Sequence, residues 1–77
     1  MRPIGEVVRA AQGLAVVRVP DAGHPDLGAT VVDADLESVG RVVDVFGPVD
    51  RPYVAVSPRG DRNPAGLIGS RLYDRSG

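Results

Sequence analysis

One histidine, two aspartates spaced two apart, four serines and nine arginines are the side chains of this chain with chemistry to offer. His24 has the ring a general base or a metal ligand needs, but it stands between Gly23 and Pro25 inside a run of turn formers, where a solvated loop residue is the expected outcome. Asp33 and Asp35 would give a divalent cation two carboxylates, whereas such an ion takes about six to eight oxygens. Short acidic side chains in a turn accept hydrogen bonds from nearby backbone amides, and that is their expected use. Ser38, Ser57, Ser70 and Ser76 have no histidine and carboxylate set around them in any recognisable motif. The stretch from Gly23 to Gly28 has the glycine spacing of neither a Walker loop nor a dinucleotide fingerprint. No catalytic, cofactor or metal site is expected.

Arg51, Arg59 and Arg62 gather with Gly60 and Asn63, a composition that could touch RNA. Asp50 and Asp61 lie in the same stretches, and one Phe with two Tyr is too few aromatics for a typical stacking platform. A mixed-charge solvated surface is the expected reading. The global charge agrees: nine basic against ten acidic residues leave −1, which draws no polyanion from a distance. All nine cations are Arg, which fits a GC-rich coding sequence or a salt-adapted proteome and does not choose between them.

The elements that would position these side chains are strands. Val dominates the apolar set, and ten Gly with seven Pro break every helical window. Ile4–Ala10 and Leu14–Val19 read as a hairpin around Gln12-Gly13, ended by Pro20. In the second strand Leu14, Val16 and Arg18 share one face and Ala15, Val17 and Val19 the other. Two nearly apolar sides mark a strand closed into a barrel or covered by a neighbour. Thr30–Val32 is a brief strand, a long one begins near Ser38, Tyr53–Val56 alternates, and Arg71–Tyr73 is a last short strand. Asn63-Pro64 starts a single helical turn that Gly69 stops. Residues 1–77 then form one all-β domain, a small closed six-stranded β-barrel with a frayed tail from about residue 74. No apolar run approaches the roughly 18 to 20 residues of a membrane span, and Met1-Arg2-Pro3 runs into patterned sequence without an apolar leader. A cytoplasmic protein, monomeric when isolated, is expected.

The densest pattern is Val39 to Val56, two strands around a Phe46-Gly47-Pro48 corner. Phe46 would fill core while Pro48 fixes φ in the turn, and the corner would present apolar groups outward for docking. A Gly permits close approach and a Pro loses little entropy on binding. Val45, Phe46, Gly47, Pro48, Val49, Tyr53 and Val54 are the candidate partner-binding residues, with Pro48, Val49 and Tyr53 the expected outward contacts.

At these residues the chain resembles the Gly/Arg-rich small subunit of the H/ACA ribonucleoprotein, the RNA-guided pseudouridine synthase complex, in its archaeal form. The resemblance runs through Ile4-Gly5-Glu6-Val7, Leu27-Gly28, Val31-Val32-Asp33, Val39 to Val49, Pro52 to Val56 and Leu67 to Tyr73. Phe-Gly-Pro followed closely by Pro-Tyr is its specific part. The resemblance implies a six-stranded barrel of the kind found in translation factors and flavin reductases. It also implies a non-catalytic subunit that binds the dyskerin-type pseudouridine synthase and aids substrate loading and product turnover in rRNA pseudouridylation, meeting guide and substrate RNA only indirectly. The Gly/Arg-rich tails of eukaryotic relatives have no counterpart here, so their RNA contacts do not carry over. Two other readings stay open. Val39 to Val45 also resembles the Gly-x-Val-x-Asp strand of a PRC-type barrel in ribosome-maturation proteins, and a flavin- or nucleotide-binding domain has fold analogy behind it.

Overall fold

Gln12 and Gly13 both take positive φ, 52° and 79°, the pair of left-handed residues that a two-residue hairpin turn of matching twist demands. That turn joins β1 (Arg2–Ala11) to β2 (Leu14–Arg18). In the computed structural model, which describes residues 1–75, four more strands follow: β3 (Thr30–Val32), β4 (Ser38–Phe46), β5 (Tyr53–Pro58) and β6 (Arg71–Asp74). Every pairing is antiparallel, and the order β1-β2-β5-β4-β3-β6 closes on itself, so the chain is a six-stranded barrel without a free edge. Among the described residues no helix is long and apolar enough to cross a membrane.

The interior is aliphatic. Val7, Val17, Val31, Val39, Val42, Val54 and Val56 pack with Ile4, Ala15, Val19, Leu67 and Leu72 in one cluster. Branched side chains of this size fit the pleated wall of a small barrel, whereas an aromatic ring would overfill it. The turn between β5 and β6 is a single 3-10 turn, Pro64–Leu67, with the Asn63 carboxamide accepting from the Ala65 amide at 3.0 Å. It delivers Leu67 into the core. Gly40 serves the opposite purpose on β4. A Cβ there would overlap the Ser57 carbonyl oxygen of β5, so the two strands can approach as they do because this residue has no side chain.

β6 extends one residue past Tyr73: Asp74 pairs with Arg2 and with Val31 and is buried. Asp74, where a frayed tail was expected to begin, is therefore part of the strand, and Ser76 and Gly77 lie outside the described residues.

Between β3 and β4 the chain turns around Asp33. Its Oδ1 accepts from the Asp35 amide at 2.9 Å and the Glu37 amide at 3.0 Å, the local use expected of it. Its Oδ2 lies 3.4 Å from the Arg62 guanidinium, which also donates to the Ser38 carbonyl. Burial pushes the Asp33 pKa upward, but the two amides and Arg62 outweigh it and hold the carboxyl below its ordinary value.

Two outcomes follow for stability. Gly40→Ala forces the strands apart against a backbone atom that cannot rotate away, and is expected to cost about 1–3 kcal/mol, as overpacking does, read from the midpoint of chemical denaturation. For Asp33, a native pKa below the unfolded value means its contribution is fully present above an unfolded pKa of about 3.9 and is lost as pH falls through the lower native value. In Asp33→Asn the fall of stability over that acid range should be shallower than in the parent chain.

Candidate functional site

Phe46 closes β4 and Tyr53 opens β5, and the register sets them directly opposite each other. Their rings stack with centroids 5.7 Å apart and planes at 23°, an offset arrangement that aromatic quadrupoles favour. The loop between them turns on Gly47, at φ 89°, where a Cβ would meet the Tyr53 ring at 3.0 Å. A left-handed residue is required here, and a side chain at Gly47 would press on the stack. Beyond it the Arg51 amide donates to the Pro48 carbonyl at 3.3 Å, and Val19 of the strand's continuation donates to Pro52 at 3.1 Å, anchoring the far side of the loop.

The corner turns its apolar groups outward. Val49 is 91% exposed, Phe46 is 37% exposed, Pro48 is exposed, and Val45 and Tyr53 are half-buried. Ala22 and His24, from the β2–β3 connection, join the corner and Pro52 around a groove of about 300 Å³. His24 is exposed, and its Nδ1 donates to the Pro25 carbonyl at 2.9 Å, since a carbonyl only accepts. Its place beside the corner depends on how the loop folds back over the barrel, which no local pattern announces.

Two of the expected residues behave differently. Phe46 does not fill core: it lies on the outer face, and the interior cluster contains no aromatic. The cause is a bulge between Val42 and Asp44, which resets the alternation so that Val42 and Val45 both turn toward the core and Phe46 away from it. Val54 has no exposed surface and belongs to the core beneath the corner. The arginines also part company. Arg62 pairs with Asp33, Arg59 lines a hollow with Arg41, and Arg51 lines a cleft with Arg18 and Arg71. Among the described residues no group of three or more His, Asp or Glu is gathered as a metal site would require.

An exposed valine and a stacked aromatic pair on a rigid strand pair can bind, and the groove beside them is apolar enough to receive a partner's side chain. Residues 1–74 match the family described as the Gar1/Naf1 RNA binding region. A protein of Methanothermobacter thermautotrophicus described as uncharacterised is 29% identical over 76 residues, spanning 95% of this chain and 82% of that one.

The outward stack sets what truncation costs the fold. Phe46→Ala removes a cross-strand aromatic contact on a surface and should lower stability by about 1 kcal/mol. Leu72→Ala empties a fully buried site and should lower it by about 2–5 kcal/mol. Parallel denaturation curves of the two variants measure the difference.

Proposed function

This chain belongs to the Gar1/Naf1 RNA binding region family, and on that premise we propose that it is a non-catalytic barrel subunit of an H/ACA ribonucleoprotein. In this reading it docks on the dyskerin-type pseudouridine synthase and aids substrate RNA loading and product turnover in rRNA pseudouridylation, in the cytoplasm and as a monomer until it joins the particle. The observation that carries it is the corner. Val49, at 91% exposure, stands beside Phe46 and Pro48 over an apolar groove, and leaving such groups in water is unfavourable by roughly 25 cal/mol per Å². A partner that covers them recovers that free energy.

The corner is also rigid. Its two strands are hydrogen-bonded, its rings stack, and Gly47 and Pro48 fix the loop, so little conformational entropy is lost on docking. Phe46, Pro48, Val49 and Tyr53 form the contact, with Val45 and Gly47 shaping it and Val54 supporting it from the core. A non-catalytic role also suits a chain whose single histidine is engaged with its own neighbour's carbonyl.

Co-purification with the synthase of the same organism is the decisive experiment. The parent chain should bind, and Val49→Asp and Tyr53→Ala should each weaken the complex by roughly 30- to 1000-fold, the effect of losing about 2 to 4 kcal/mol at an interface hot spot. Because Phe46 is outside the core, Phe46→Ala should weaken it as well, at little expense to folding. Multiple-turnover pseudouridylation should slow toward the rate of the complex lacking this subunit. Normal binding by all three variants would move the docking face elsewhere on the barrel.

A further inference from the structure

Five of the six strands contribute to a single outward row. The register sets Arg71 opposite Glu6, Glu6 opposite Arg18, Arg18 opposite Tyr53 and Tyr53 opposite Phe46, and directly opposed residues project to the same face of a sheet. Arg18, Arg71 and Glu6 are exposed. With Arg51, which the β4–β5 loop swings over the barrel wall, they line one open cleft of about 360 Å³ floored by Gly5. Residues 18, 51 and 71 are remote in the chain, so the barrel alone brings them together.

Three cations here face one carboxylate, Glu6, on a chain whose formal charge is −1. Among the described residues the one ion pair is Arg62 with Asp33, so none of the three guanidiniums in the cleft is neutralised by a carboxylate at contact distance. Each keeps its fork of donors available, a geometry that matches phosphate oxygens. Arg71 and Arg18 sit on strands two spacings apart, about 10 Å across the sheet. Side chains on that spacing can meet the successive phosphates of a chain, and the family's RNA-binding character favours such a chain over a lone anion. The row then continues to Tyr53 and Phe46 of the docking corner, outside the cleft.

We propose that this cleft grips the sugar-phosphate backbone of single-stranded RNA, alongside the partner-docking corner. The assignment rests on the family's RNA-binding character and gives it a location. Binding through it is sequence-blind, salt-sensitive and weak in the isolated chain, because three phosphate contacts act against a slightly negative overall field. Glu6 lowers the affinity further, being a like charge in the middle of the row.

The test is a titration of the purified chain with a fluorescent single-stranded oligouridine at several salt concentrations. Each phosphate contact on a single strand contributes about 0.7 to the slope of log affinity against log salt, so three arginines should give a slope of about −2. Arg18→Gln, Arg51→Gln and Arg71→Gln should each weaken binding and reduce the slope by about 0.7. Glu6→Gln should tighten binding, a direction that loss of folding cannot produce, and Arg59→Gln should leave it unchanged. Thermal unfolding of each variant confirms that it folds. Unchanged slopes in the three arginine variants, or an equal loss in Arg59→Gln, would overturn the proposal. So would displacement of the RNA by a polyglutamate peptide at lower concentration than by unlabelled oligouridine, which would make an acidic protein surface the occupant. The docking reading fails separately: Val49→Asp should lose the synthase and keep the RNA slope, and the arginine variants should keep the synthase.

Discussion

A barrel of six short strands encloses little volume, and that volume has to be filled by side chains small enough to fit and branched enough to leave no void. Valine meets the demand, and eight valines of the core cluster line this interior with a few other aliphatic residues. The placement of the remaining residues follows from that filling. No aromatic side chain joins that filling: Phe46 lies on the outer wall, turned there by the bulge in β4, and Tyr53 and Tyr73 are half-buried. The same economy of space appears in the backbone, where Gly40 admits the neighbouring carbonyl that any side chain would exclude.

Local signals made most of the fold legible. Alternation, β-branched runs and turn residues place the strands, Gln12-Gly13 marks the hairpin, and Asn63-Pro64 marks the one helical turn, because each depends on neighbours within a few residues. The expectation that Phe46 fills core failed at the bulge between Val42 and Asp44. One extra residue there inverts every side chain beyond it, and a sequence pattern carries no mark of where a ladder skips. Val54 was legible in principle, since alternation already sets it on the face opposite Tyr53.

The arginines show the opposite limit. Arg51, Arg59 and Arg62 are close in sequence, yet they go to three different places: a cleft, a hollow and an ion pair with Asp33. Arg18 and Arg71 are far apart in sequence and flank the same glutamate. Cross-strand register decides which charges share a face, and register is a property of the closed barrel rather than of any segment. Net charge hides the same fact, since a chain near neutrality still carries a patch of three cations against one carboxylate.

The junction of β3 with β6 is the barrel's shortest. Two register pairs hold it, Val31 with Asp74 and Val32 with Tyr73, extended by the Arg75 amide to the Thr30 carbonyl at 3.0 Å. Cooperative units of a protein open where few bonds must break, so this seam is where the cylinder is expected to open first and its amide protons to exchange earliest with solvent. Going round the cylinder, β4 and β5, which carry the aromatic stack, pair with each other along six register positions. Opening at the seam breaks none of those pairs, so the wall that carries the stacked rings keeps its register while the seam parts.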